Sequence, residues 1–147
     1  METKNLINEY TRNAHSVGIS MWHFEWCTKY RYKMFGKEEY KNLMIACIRR
    51  SASLHEIKII ELAVMPEHVH CIVQTSMSIA PSRALQILKG YSAKLFFSKH
   101  EKSRLRYPKG HLWSRGKFGA SLGFIQVEFA KEYVRNQERH HSGNHTL

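Results

Sequence analysis

Large apolar side chains alternate with polar ones from position 22: Trp22, Phe24, Trp26, Thr28 and Tyr30 are interleaved with His23, Glu25, Cys27 and Lys29. A two-residue period is that of a strand, in which successive side chains point to opposite faces. After Gly36 the period lengthens. Tyr40, Leu43, Met44, Cys47, Ile48 and Leu54 follow the spacing of a helix with one buried stripe. IKIIELAVM and HVHCIVQT are rich in β-branched residues, and Pro66-Glu67 between them reads as a tight antiparallel turn between strands two and three. Pro81, favourable in a first helical turn, opens a second helix marked by Leu85, Leu88, Ser92, Leu95 and Phe96, with Gly90 as a close-packing point. Basic, turn-rich sequence from Lys99 to Gly110 leads to a short fourth strand around Leu112 and Trp113, and a third helix runs from beyond Gly123 to about Arg139. The order β-α-β-β-α-β with a C-terminal helix predicts an α+β, ferredoxin-like (RRM-like) antiparallel sheet with helices on one face plus that last helix. RNA-recognition modules and many nucleic-acid enzymes share this arrangement, so the fold alone does not decide function.

A chain of 147 residues can build one compact core, so residues 1–147 are read as a single domain with an N-terminal extension over 1–16 and a frayed tail over 140–147. Its formal charge of +11 and pI near 9.8 change the picture, because so much positive charge in a small domain exceeds what solubility requires. The expected partner is a polyanion, nucleic acid before an anionic membrane. Cys27, Cys47 and Cys71 are odd in number, far apart and set in apolar stretches, which reads as reduced thiols of an intracellular protein with no zinc knuckle. No apolar run approaches a membrane span, and METKNLINEY lacks the apolar core of a signal peptide, so a cytoplasmic protein is expected.

Two constellations carry chemistry. In the third strand Val69, Cys71 and Val73 share one face, leaving His68, His70, Ile72 and Gln74 on the other. His68 and His70 therefore project side by side and can present two imidazoles to one ion, although a polar strand end would look the same. On the last helix, Val127, Ala130 and Val134 form an apolar stripe, opposite Glu128, Lys131, Arg135, Glu138 and Arg139. Tyr133 and Gln137 sit beside the stripe, one turn apart. Periodicity alone suits a partly buried tyrosine whose hydroxyl a glutamine satisfies; it also suits a nucleophile with an oxygen ligand near the histidine pair.

WHFEWCTKYRYKMF, AVMPEHVHCIV, SRALQILKGYSAKLFF, HLWSRGKF and EYVRNQ occur in that order and spacing over most of residues 17–139. Together they resemble the HUH single-tyrosine transposases of small insertion sequences, which move as single-stranded DNA. The resemblance implies that His68 and His70 are paired metal-binding histidines, Tyr133 the nucleophile and Gln137 a further metal ligand. It implies a prokaryotic strand transferase that forms a 5′-phosphotyrosine, a subterminal DNA hairpin as the recognised feature, and a homodimer with active sites composed in trans. Mg²⁺ or Mn²⁺ fits this ligand set better than zinc, since it offers oxygen and no thiolate. The positions four residues from Tyr133 are Phe129 and Gln137, so no second tyrosine lies one turn away. Glu25 departs from the pattern: such proteins usually carry an apolar residue there, and whether that strand face is buried or leans toward the site stays open.

Phosphate contacts are expected from Lys29, Arg31, Lys33, Lys89, Lys94, Arg104, Arg106, Lys109, Arg115 and Lys117, with Trp113, Phe118 or Tyr91 stacking on bases. Three rivals stand beside this reading: a non-catalytic RRM-like nucleic-acid-binding module, a domesticated tyrosine nuclease that processes repeated hairpins, and a metal-dependent hydrolase of small phosphate esters.

Overall fold

The computed structural model describes residues 19–145. Strands β1 (Ile19–Thr28), β2 (Lys58–Val64), β3 (His68–Ser76) and β4 (Trp113–Ser121) form one sheet in the order β2-β3-β1-β4, with every neighbouring pair antiparallel. Helix α1 (Glu38–Leu54) links β1 to β2, α2 (Pro81–Lys99) links β3 to β4, and α3 (Phe124–His145) follows β4. This is the ferredoxin-like order expected from the alternating periods. It places β1 and β3, the two strands that carry histidines, side by side at the centre.

The two faces of the sheet are covered differently. Phe24 and Trp26 of β1 and Val69, Cys71 and Val73 of β3 point to the α1/α2 side, where they join Met44, Ile48, Leu85, Leu88 and Phe96 in the main core. Phe35 and Phe96 meet edge-on at 5.5 Å and Trp26 meets Trp113 at 5.8 Å, arrangements that favour aromatic pairs beyond simple burial. On the opposite face α3 lies over β2 and β3 through a small patch: Val134 packs with Ala63 and Ile72, flanked by Ala130, Ile60 and Leu122. Val127 is also buried, so the stripe read from the sequence is the docking face of α3.

Several details differ from the sequence reading. β4 extends to Ser121, well past Trp113, because its glycine-rich second half pairs with the central β1 from Gly119 opposite Phe24 to Ser121 opposite Trp22. No apolar alternation marks that half, and pairing with a neighbour replaces it as the organising force. The buried stripe of α1 closes with Ser51 and Ala52, while Leu54 is exposed. Gly90 is not a close-packing point: a Cβ there would meet nothing within 4 Å. The backbone of α3 stays helical to His145, beyond the end near Arg139 suggested by its apolar period. The N-terminal extension over 1–16, the side chains of the 140–147 tail, and those of Lys117 and Phe118 lie outside the described residues. Among the described residues no helix is long and apolar enough to cross a membrane.

Candidate active site

The turn before β3 is closed by the Met65 amide donating to the His68 carbonyl at 2.8 Å, and β3 then runs antiparallel to β1 with Cys27 opposite His68, Glu25 opposite His70 and His23 opposite Ile72. Side chains alternate, so His23, Glu25, His68 and His70 all project from the face that α3 covers. The open question about Glu25 is thus answered: it leans toward the histidines.

The Nε2 atoms of His68 and His70 are 3.1 Å apart, and His68 Nδ1 lies 2.8 Å from Glu67 Oε1. His70 is buried, with 2% of its surface exposed. Burial first, and the neighbouring imidazoles of His68 and His23 second, lower its pKa to about 4. His23 is lowered as well, by burial, with Glu25 opposing. His70 is therefore a neutral imidazole at pH 7, the form in which histidine binds metals.

Tyr133 enters from α3. Its ring stands edge-on to His70 at 5.9 Å and edge-on to His23 at 5.9 Å, while His23 and His70 are 5.7 Å apart. The tyrosine is half exposed, at 49%. The Arg135–Glu61 ion pair at 3.2 Å and a Lys41–Glu138 pair brace α3 beyond its apolar patch. In the single chain α3 thus lies on its own sheet, and the Tyr133–His70 contact is intramolecular. Gln137, one turn further along, is half-buried.

The histidine pair fits a divalent cation. Two adjacent ligands at right angles, each ~2.1 Å from an octahedral ion, stand ~3.0 Å apart, close to the 3.1 Å between the two Nε2 atoms. A second grouping, His23, Glu25 and His70, brings potential ligand atoms within 4.8 Å of one another. The two groupings share His70, so they are alternatives at one site. We favour the His68/His70 side on its shorter spacing.

The expected phosphate contacts fall into two adjoining areas. Lys29 and Lys109 line a small pocket of about 190 Å³ with Tyr30, Tyr107, Pro108 and His111, and the Arg106 guanidinium lies 4.3 Å over the Tyr32 ring. Arg31 and Lys33, exposed, belong to the same segment. Lys89, Lys94 and Arg104 line a broader cleft of about 620 Å³ along α2 with Gly90, His111 and Trp113; the Lys89 ammonium is held there by the Ser114 carbonyl at 2.8 Å. Arg115 is exposed on β4. The first area adjoins the histidines directly, since the Thr28 amide, one residue before Lys29, donates to the Glu67 carbonyl at 2.8 Å.

The stacking candidates need correction. Trp113 is buried and its indole donates to Ser92 Oγ at 3.1 Å, so it is a core residue. Tyr91 is partly exposed but packs against His55, with ring centroids 4.3 Å apart. An exposed aromatic that the sequence reading did not single out is Tyr30: it is 66% exposed, has φ of 63°, and stacks nearly parallel to Tyr107. No local pattern marks it, because strand alternation assigns it to the buried side. The placement of His23 beside the pair was not anticipated and that of Glu25 was left open, although a signal existed. If Phe24 and Trp26 join Val69 and Cys71 in one core, the polar faces of the two strands must coincide.

The residues from 16 to 137 match the family model described as IS200-like transposase. The chain is 29% identical over 93 residues to the ISDra2 transposase TnpA of Deinococcus radiodurans, an alignment covering 63% of this chain and 66% of that protein, just under two thirds of its length. It is 20% identical over 124 residues to the transposase for insertion sequence element IS200 of Salmonella typhimurium, covering 84% of this chain and 80% of that one. A crystal structure of a candidate transposase from Deinococcus radiodurans superposes with a TM-score of 0.63 at 25% identity, over 80% of this chain and 89% of that chain. A REP-associated tyrosine transposase bound to a REP hairpin shares the fold, with a TM-score of 0.61 at 16% identity over 83% of this chain and 68% of that one. With its central histidine pair, a tyrosine brought to it by the last helix, and a family match over most of its length, this chain belongs to the IS200-like transposase family.

Proposed function

We propose that the protein cleaves and rejoins single-stranded DNA at insertion-sequence ends, with Tyr133 as the nucleophile and His68, His70 and Gln137 as the holders of one Mg²⁺ or Mn²⁺ ion. The observation that carries this reading is the meeting of Tyr133, from the last helix, with His70 on the central strand. Bound there, a divalent ion would polarise the scissile phosphate and stabilise the charge that develops on it. The Tyr133 oxygen attacks phosphorus, the bond to the 3′ oxygen breaks, and the products are a 5′-phosphotyrosine and a free 3′-hydroxyl. The phenolic proton passes to solvent as the bond forms, and the departing 3′ oxygen takes up a proton from solvent. Attack of a second 3′-hydroxyl on the phosphotyrosine reverses the step on a new strand without ATP. His70, kept neutral by burial, would hold the ion and would not act as the base, and the basic segments near Lys29 and Arg104 would hold the phosphates.

The test is a denaturing gel of the protein with single-stranded element ends and magnesium, which should reveal a covalent 5′ adduct in the wild type and none in Tyr133→Phe or His68→Ala. Magnesium-dependent cleavage retained in both variants would overturn the site. Hairpin-forming single strands should bind better than a duplex of the same sequence. For ~6 neutralised phosphates, fourfold more salt should cost two to three orders of magnitude in affinity, at roughly 0.7 to 0.9 of a log unit per contact and log of salt; a salt-insensitive complex would count against the basic surface.

A homodimer with sites composed in trans is part of the same reading, and the intramolecular docking of α3 is its competitor. A tagged heterodimer of Tyr133→Phe with His68→Ala has one intact site if α3 crosses to the partner, and none if each helix stays on its own sheet. Recovery of cleavage in verified heterodimers supports exchange; its absence supports the docking seen in one chain. The fold shared with a hairpin-bound REP-associated transposase also favours a second reading, processing of repeated chromosomal hairpins, which cleavage assays on such repeats against insertion-sequence ends would separate.

A further inference from the structure

Every imidazole that grips a cation through one nitrogen must dispose of the other, and at this site both outer nitrogens face carboxylates. His68 Nδ1 is 2.8 Å from Glu67 Oε1, and His70 Nδ1 is 3.5 Å from Glu25 Oε2. Glu25 reaches that position because the β1–β3 register sets it directly opposite His70 on the same sheet face, where opposed side chains in an antiparallel pair are close neighbours. His70 Nδ1 is buried and otherwise lacks a hydrogen-bond acceptor, whereas the Glu25 side chain keeps 40% of its surface exposed and can close the last few tenths of an ångström.

We propose that Glu25 is a positioning residue that accepts the Nδ1 proton of His70 and thereby turns the Nε2 lone pair of His70 toward the ion held with His68. A neutral imidazole carries one N–H and one lone pair. With the proton on Nε2, the Nδ1 lone pair would face an anion; with it on Nδ1, the same contact becomes a charge-assisted hydrogen bond. Glu67 imposes the same choice on His68. The two carboxylates together aim both Nε2 lone pairs into the 3.1 Å gap, an arrangement that is repulsive when empty and favourable around a cation. A carboxylate behind a ligating histidine also raises its basicity. In this chain His70 therefore has a charged backing at Glu25, which should let it hold its ion more tightly.

The proposal rests on His68 and His70 as the metal-holding pair, and the experiment separates the two. Mn²⁺ dissociation constants are measured by the electron paramagnetic resonance signal of free Mn²⁺, and histidine tautomers by long-range ¹H–¹⁵N spectra of the Mg²⁺-saturated protein, with His70 assigned through His70→Gln. Wild type should show His70 protonated at Nδ1. Glu25→Leu should weaken Mn²⁺ by about 10- to 100-fold and remove the Nδ1–H signal. Glu25→Gln, whose amide oxygen still accepts the proton, should keep the tautomer and lose less than Glu25→Leu. Affinity and tautomer unchanged in Glu25→Leu would overturn the proposal while leaving the histidine pair intact. A Glu25→Gln loss as large as that of Glu25→Leu would also overturn it, making Glu25 a direct ligand with His23 and His70. A wild type that His68→Ala leaves unchanged in Mn²⁺ affinity would sink the metal pair itself, and the proposal with it.

Discussion

The two faces of the sheet are built from the same strands and the same two-residue alternation, yet they do opposite work. On the α1/α2 side, Phe24, Trp26, Val69, Cys71 and Val73 meet two helices in a core that excludes water. On the α3 side the same strands present His23, Glu25, His68 and His70, and the covering helix docks beside them through an apolar patch in which Val134 meets Ala63 and Ile72. Neighbours in sequence are thus separated by face: Phe24 and Cys71 join the main core, while Glu25 and His70 beside them line the candidate site. A broad apolar layer leaves the thin face free to hold polar groups whose burial costs stability, as the depressed pKa of His70 records.

The sharpest way to break the comparison is to change one oxygen on the thin face. Tyr133→Phe keeps the ring and its half-exposed packing, so unfolding free energy should stay within about 0.5 kcal/mol, while covalent adduct and cleavage fall by at least about three orders of magnitude. A large loss of stability with cleavage retained would make Tyr133 structural. On the other face the effect should invert. Phe24 is 1% exposed and lies against Gly119, so Phe24→Ala should cost about 3–5 kcal/mol in denaturant unfolding; a near-neutral result would mean that this face is not the main source of stability.

Acid should act through the thin face. The folded pKa of His70, about 4, lies below the value near 6.5 of an unfolded histidine, so the unfolded chain takes up the proton first. Its contribution to stability is full above pH 6.5 and falls as pH drops from there toward 4, by up to about 2–3 kcal/mol. His70→Gln should flatten that part of the stability profile; an unchanged slope would assign the acid sensitivity elsewhere. The smallest effect concerns the basic cleft. Gly90 sits inside α2 with open space around it, so Gly90→Ala should stabilise by about 0.5–1 kcal/mol, and thermal unfolding would detect a clash as a loss instead.

Much was legible in the chain because periodicity reports burial. The alternation from Trp22 to Thr28, the face shared by Val69, Cys71 and Val73, and the stripe of Val127, Ala130 and Val134 each named a side that had to be covered, and the order of elements then left few topologies. The histidine pair was legible for the same reason, since residues two apart on a strand share a face whatever the rest of the fold does. Other features depended on pairing between distant segments. The second half of β4 is ordered by β1, Tyr30 is exposed because β1 ends at Thr28, and Trp113 is claimed by Ser92 of α2. Glu25 and His23 reach His70 only through the β1–β3 register, and Tyr133 reaches it only because α3 docks on that side. Local spacing determines which side chains share a face; which faces meet is decided when distant strands and helices exclude water together, and a reactive site made from three separate segments exists only at that level.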